Sequence, residues 1–424
     1  MDGRDGFQTR PCQQKSLYMM RVGLIFAVVS MCLCACAHAD CPGNDLNSDC
    51  RIDANDLRIL AEAWLGDPNT PADLNGDRQV NQADLAALAA QWRQTGCPIV
   101  INEVLAHAHA NAPDWIELYN TSRIPVDIGG WMLSDREDDL GRFQIAAGAI
   151  LEPFGYIVFY ENTHFRNPLN PDTRTPFALS ENGETLYLYS GYDEVYPDYL
   201  AEARLGPSET FYSLGRYRTS TGEYSYVKMS ELTPGDRNAY PFVGPVIINE
   251  IMYHPTGDAD AEYVELLNID DGPVTLFDFI SMEPWRFTDD SGIDFRLPSD
   301  NPVTLEKGEY LLLVRDAAAV RKQGVKAGVR ILEWGSGKLA NQGEDLYLLK
   351  PGDVDLMGTR YWIKIDRVNY SDGAHPENFA KNKDPWPAAA DGLGLSLNRL
   401  FTRKYGNDPN NWQATLPTPG SAND

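Results

Sequence analysis

Two stretches, DLNSDCRIDAND from Asp45 to Asp56 and DLNGDRQVNQAD from Asp73 to Asp84, repeat one pattern of oxygen donors 28 residues apart. The first, third, fifth, ninth and twelfth places are Asp45, Asn47, Asp49, Asp53 and Asp56 in one copy. They are Asp73, Asn75, Asp77, Asn81 and Asp84 in the other. Carboxylates this close in one short loop repel one another unless a cation compensates them. A calcium ion takes about six to eight hard oxygens, and a twelve-residue loop supplies them from these places, with the seventh giving its backbone carbonyl. That seventh place is Arg51 in one loop and Gln79 in the other. Ile52 and Val80 at the eighth place allow the two loops to pair over a small apolar core. Two bound calcium ions are therefore expected, one per loop.

The segment after each loop repeats as well. Leu57, Leu60, Ala61 and Trp64 stand at helical spacing, as do Leu85, Leu88, Ala89 and Trp92, so each loop should lead into a helix with one apolar stripe packed on its counterpart. No comparable helix precedes the first loop. Residues 40–97 thus resemble the dockerin domain, a calcium-dependent module that docks proteins onto cohesin domains in bacterial polysaccharide-degrading assemblies. The resemblance implies a cohesin-like partner contacting the tenth and eleventh loop places, here Ala54-Asn55 and Gln82-Ala83, which differ from the family's familiar hydroxyl pair. The sixth place, normally Gly because the turn needs a positive φ, is Cys50 in one loop and Arg78 in the other. A side chain there costs roughly 1 kcal/mol.

The N-terminus reads as an export signal. Arg21 supplies the positive flank, Val22 to Val29 an apolar core too short to span a bilayer, and Ala37-His38-Ala39 a cleavage site before Asp40. A start at Met19 or Met20 suits this signal, and residues 1–39 form the expected leader. Leu33-Cys34-Ala35-Cys36 offers a rival reading as a lipoprotein site. No later run is apolar enough to span a membrane, so a secreted or cell-surface protein is expected. Cys41, Cys50 and Cys97 remain after cleavage. Cys41 with Cys97 would clasp the ends of the repeat, Cys50 could join either, and one thiol is left over. A net charge of -25 argues against a nucleic-acid partner, since phosphate binding requires clustered Lys and Arg.

Beyond Cys97 the texture changes to short apolar alternations broken by Gly, Pro and Asn, the pattern of β-sandwiches. This region is duplicated too. INEV at Ile101 returns as INEI at Ile248, DWIELYN at Asp114 as EYVELLN at Glu262, and GWMLSD at Gly130 as PWRFTD at Pro284. NGETLYLY at Asn182 matches QGEDLYLL at Gln342, SLGRY at Ser213 matches SLNRL at Ser396, and TPGDRN at Thr233 matches TPGSAN at Thr418. The offset grows steadily from 147 to 185 residues, which means two colinear domains with loop insertions in the later one. These landmarks resemble the lamin tail domain, an immunoglobulin-like sandwich, over 98–240 and 245–424. The second copy carries more of them, including WP at Trp386 and DGLGLSLNR at Asp391. AYPFVGP from Ala239 to Pro245 is the linker. The expected fold is multidomain: a small α dockerin-like module with paired calcium loops, then two all-β immunoglobulin-like sandwiches.

No catalytic constellation emerges, so an enzyme is not expected. GSGK at Gly335 lacks the flanking residues of a phosphate loop. His107 and His109 have no carboxylate or Cys at ligand spacing and read as surface or loop histidines. Glu103, Glu117, Glu250 and Glu265 recur at equivalent places in both sandwiches, which fits a shared structural role such as bonding a neighbouring loop better than glycoside hydrolysis. Trp115, Trp131 and Trp285 read as core rather than sugar platforms. The expectation is a secreted calcium-binding docking or adhesion protein whose sandwiches bind a glycan or cell-surface ligand. The alternative is an accessory of polysaccharide catabolism.

Overall fold

The computed structural model describes residues 41–66, 69–94, 96–109, 111–193, 195–196, 198–379 and 383–423. The leader, its cleavage site and the lipoprotein motif lie outside the described residues. Residues 41–97 form a small helical unit. Helix α1 (Ala54–Glu62) and helix α2 (Gln82–Ala90) each start at the end of one acidic loop. Ile52, Leu60, Ala72, Val80 and Leu88 make its buried core. Ile52 exchanges backbone bonds with Arg93 and Gln94 at 2.9 and 3.0 Å, while Leu65 donates to Val80 at 3.0 Å. Each eighth-place residue is thus tied to the chain leaving the opposite helix, and Ile52 and Val80 share one small core.

The helical stripes behave differently from expectation. Leu60 and Leu88 turn inward, but Leu57, Trp64, Leu85 and Trp92 are about two-fifths exposed at 37%, 39%, 38% and 42%. Ala61 and Ala89 are exposed as well. Two nine-residue helices have room for few core positions, and Ile52, Val80 and Ala72 from the loops fill the space that the rest of each stripe would take.

The first β unit comprises β1 (Ile99–Leu105), β2 (Trp115–Asn120), β3 (Val126–Asp127), β4 (Met132–Ser134), β5 (Phe143–Gln144), β6 (Ile150–Leu151), β7 (Tyr156–Tyr160), β8 (Thr185–Tyr189), β9 (Leu200–Arg204), β10 (Leu214–Arg218) and β11 (Tyr224–Lys228). One sheet has the order β11-β10-β1-β2-β7 and the other β5-β4-β8-β9. Ile101, Ile116, Leu118 and Phe159 of the first meet Leu133, Phe143, Leu186 and Leu188 of the second in one core around Trp131. Apolar faces that alternate with polar ones along each strand find this burial only face to face.

The second β unit follows with β12 (Val246–Met252), β13 (Tyr263–Asn268), β14 (Val274–Thr275), β15 (Phe277–Asp278), β16 (Glu283–Pro284), β17 (Arg286–Asp289), β18 (Asp294–Arg296), β19 (Thr304–Leu305), β20 (Tyr310–Val314), helix α3 (Ala317–Arg321), β21 (Arg330–Glu333), β22 (Gly343–Val354), β23 (Arg360–Ser371), β24 (Ser396–Arg399) and β25 (Trp412–Thr415). Its sheets run β21-β20-β13-β12-β24-β25 and β18-β17-β22-β23. The central strands of both sheets repeat the topology of the first unit. Even the irregularity recurs: β1 slips against β2 between Ile101 and Glu103, and β12 against β13 between Ile248 and Glu250. The added length is not confined to loops, however. It builds α3, the parallel edge strand β21 on β20, the β15–β16 pair and a long β22–β23 hairpin. A parallel edge strand needs a crossover, and α3 lies in the connection that makes it.

Candidate functional site

Each acidic loop is closed by the start of its helix. Asp53 and Asn81 are the N-caps, taking the amides of Asn55 and Ala83 at 2.7 and 2.8 Å. The twelfth-place residues Asp56 and Asp84 reach back to the amides of Asp53 and Asn81, at 2.8 Å in both copies. These reciprocal bonds are capping boxes, which satisfy amides that a helix start leaves unpaired. Asp56 and Asp84 are fully buried, and their other oxygens accept from Leu46 and Leu74 at 2.8 Å, drawing the loop entrance onto its exit.

Within the loops the remaining donors converge in the same way. Asp45 accepts from the amides of Cys50 and Asp49 at 2.6 and 3.3 Å, and Asp73 from those of Arg78 and Asp77 at 2.9 and 3.2 Å. Asn47 donates to Asp49 at 2.8 Å, and Asn75 to Asp77 at 3.1 Å. Asp49 and Asp77 take the amides of Arg51 and Gln79 at 3.0 and 2.8 Å. Burial raises the Asp45 carboxyl above its ordinary range, and the charges of Asp49 and Asp56 add to that rise, against the amides of Cys50 and Asp49. A divalent cation would reverse that penalty, and carboxylate and amide oxygens are the ligands calcium prefers.

Cys50 and Arg78 at the sixth place have φ of 62° and 65°, so both residues occupy the left-handed turn normally given to Gly. Cys50 is also disulfide-bonded to Cys41, whereas Cys97 is a buried free thiol. The bridge therefore staples the first loop to the chain entering it and does not clasp the ends of the segment. Ala54, Asn55, Gln82 and Ala83 are all exposed at the helix starts.

The paired glutamates of the sandwiches act as latches. The slip in each β1-type strand turns Asn102 and Asn249 onto Glu117 and Glu265, at 2.7 and 2.8 Å. The same glutamates accept the amides of Gly235 and Gly420 at 2.5 and 2.6 Å. Glu103 accepts from Thr233 Oγ1 at 2.6 Å and from Ser213, while Glu250 takes the Thr418 amide at 3.0 Å and Ser396 Oγ at 2.6 Å. Asn238 and Asn423 complete the set by bonding the backbone of Asn102 and Asn249 at 3.2 and 3.1 Å. The TPG-x-x-N segments thus seal the open side of each slip. Burial pushes the Glu117 carboxyl up to about 7 and that of Glu265 up to about 8. Raised carboxyls often mark catalysis, but all four glutamates are fully buried with their oxygens bound to the latch.

Trp115, Trp131 and Trp285 are buried, as is Trp334. Trp362 is partly exposed, with the guanidinium groups of Arg286 and Arg296 at 5.5 and 5.4 Å from its ring. His109 stacks on Phe211 at 5.4 Å. His107 has carboxylates around it that its sequence neighbourhood does not contain, from Glu181 and Asp353. Among the described residues no helix is long and apolar enough to cross a membrane.

No curated protein matches the chain. Family models match two parts of it: the Dockerin type I domain over residues 43–91 and the Lamin Tail Domain over residues 93–198. The second match falls on the first β unit, although the second unit carries more of the family's landmarks in sequence. Residues 43–91 are thus similar to the dockerin type I domain, a calcium-binding and protein-docking module type, and residues 93–198 to the immunoglobulin-like lamin tail domain.

Proposed function

We propose that this protein is an exported, non-catalytic docking protein in which a calcium-loaded dockerin module, residues 40–97, carries two lamin-tail sandwiches, residues 98–240 and 245–424. The observation that supports it most is the identity of the two loops in detail: the same donor places, the same capping box and the same positive φ at the sixth place. One calcium ion would sit among Asp45, Asn47, Asp49, the Arg51 carbonyl, Asp53 and Asp56. A second would sit among Asp73, Asn75, Asp77, the Gln79 carbonyl, Asn81 and Asp84. The matching central topology and latch of the second β unit support its reading as a second lamin-tail copy. A cohesin-like partner would meet Ala54, Asn55, Gln82 and Ala83 together with the neighbouring exposed Leu57 and Leu85.

Calorimetric titration of the full chain after chelation should show two calcium ions. Asp45→Ala and Asp73→Ala should each leave one, because each removes a carboxylate that anchors amides of its own loop only, two at Asp45 and three at Asp73. Binding to a cohesin panel should require calcium. A chain that takes up no calcium, or binds a cohesin equally well in chelator, would refute this reading.

A further inference from the structure

We propose that His107, Glu181 and Asp353 form a binding site for a divalent transition metal of the zinc class, and that this site ties the two sandwiches together. His107 lies just past the end of β1 and Glu181 in the turn before β8, both in the first unit. Asp353 lies near the end of β22 in the second. One ligand atom from each stands within 4.8 Å of the other two. His107 Nε2 approaches Glu181 Oε2 to 3.9 Å.

The imidazole is oriented as a metal ligand needs to be. Its Nδ1 lies 3.4 Å from the Ser208 carbonyl oxygen, which can only accept, so this contact is satisfied by the tautomer with the proton on Nδ1. The Nε2 lone pair then faces the two carboxylates, and metal-bound histidines are commonly fixed by such a bond from the other nitrogen to a carbonyl. Thr210 Oγ1 sits 2.9 Å from Nε2, and in that tautomer its hydroxyl is the donor. Ligand atoms around a tetrahedral zinc stand about 3.4 Å apart. Closing the set requires movement of about an ångström by Glu181 and Asp353, both exposed and free to change rotamer.

The donor chemistry selects the metal. One imidazole with two carboxylates suits zinc, manganese or ferrous iron, whereas calcium favours an all-oxygen set. The surroundings favour an ion that joins the units. Beside the Ser208 carbonyl, Glu209 of the first unit already pairs with Lys350 of the second at 2.5 Å and with Lys228 of its own at 2.7 Å. A cation held by His107, Glu181 and Asp353 would add a second fastening to the same seam. The site shares no residue with the acidic loops, so its fate is independent of the docking reading.

The test uses the full chain in saturating calcium, which keeps the acidic loops occupied, titrated with zinc chloride. One further ion should bind, and zinc should raise the melting temperature. Asp353→Asn and His107→Gln should each weaken zinc binding more than about tenfold and abolish the thermal shift. Asp353 is exposed, so its variant should fold normally and decide the matter if His107→Gln does not. Absence of zinc binding, or zinc binding that Asp353→Asn does not weaken, would overturn the proposal.

Discussion

Carboxyl side chains carry opposite duties in two parts of this molecule, as Asp in the acidic loops and as Glu in the latches. In the acidic loops the carboxylates must be ionised to hold a cation. In the latches, Glu117 and Glu265 are buried, and burial pushes their carboxyls up to about 7 and about 8. A folded-state value above the unfolded value of 4.5 means that the folded protein binds more protons between these limits. The stability these groups contribute is complete below the unfolded value and is lost as pH rises through about 7 and then about 8. The melting temperature of the β units, followed by calorimetry at fixed calcium, should therefore fall as pH climbs through this window. Glu265→Gln, which cannot ionise, should flatten the upper part of the fall, each tenfold change in the acid constant being worth about 1.4 kcal/mol. An unchanged slope in that variant would show that another group governs the dependence. At the same scale, the left-handed Arg78 shows why a missing Gly did not abolish the loop: its side chain is exposed, and the backbone strain is only about 1 kcal/mol.

At the scale of elements, the latch explains why separate short motifs recur together. INE supplies the slipped Asn and its Glu, the following strand supplies a second Glu, and TPG-x-x-N supplies the hydroxyl, amides and side-chain amide that these groups bind. The Gly is needed because Gly235 and Gly420 have φ of 87° and 84°, which aims their amides at the buried glutamates. Thr418→Val removes a hydroxyl 3.2 Å from Glu250 and leaves that oxygen short of a partner in a buried setting. The expected loss is about 1–2 kcal/mol of stability in the second β unit, read by denaturant unfolding. A loss within a few tenths of a kcal/mol of zero would mean that the bonds to the other Glu250 oxygen, from the Thr418 amide and Ser396 Oγ among them, secure the latch without this hydroxyl.

Across the whole molecule, the two sandwiches are held by a narrow set of polar and aromatic contacts. Glu209 bridges Lys228 and Lys350, the Tyr240 hydroxyl in the linker accepts the Tyr405 amide at 2.9 Å, and the Tyr217 ring packs edge-on to Tyr240 and Tyr405. A cavity of about 110 Å³ lies along this seam between Tyr226, Phe242 and Ile363. Removing the bridge by Glu209→Ala leaves two ammonium groups facing each other at a half-buried surface. It should cost about 1–3 kcal/mol of coupling and split a shared thermal transition into two. A single transition at an unchanged temperature would place the coupling in the aromatic contacts instead.

The loops and the duplication were legible because both are local in sequence. Each acidic loop gathers its oxygen-bearing side chains within twelve residues, so Asp45 to Asp56 and Asp73 to Asp84 display them as a spacing, and the capping boxes at Asp53 and Asn81 lie inside the same windows. The recurrence of Glu103, Glu117, Glu250 and Glu265 pointed to a shared bonding role, and the latch supplies it. Three matters were not written in any spacing. The exposure of Leu57, Trp64, Leu85 and Trp92 depends on which apolar residues win a core with little room. The Cys41–Cys50 bridge depends on which sulfur the folded loop presents. His107 looked partnerless along the chain, and Glu181 and Asp353 reach it only because a turn of one sandwich and a hairpin of the other are packed together. Sequence determined the contacts that a few consecutive residues can make by themselves; tertiary structure decided those whose partners lie far apart along the chain, because only packing brings them within bonding distance.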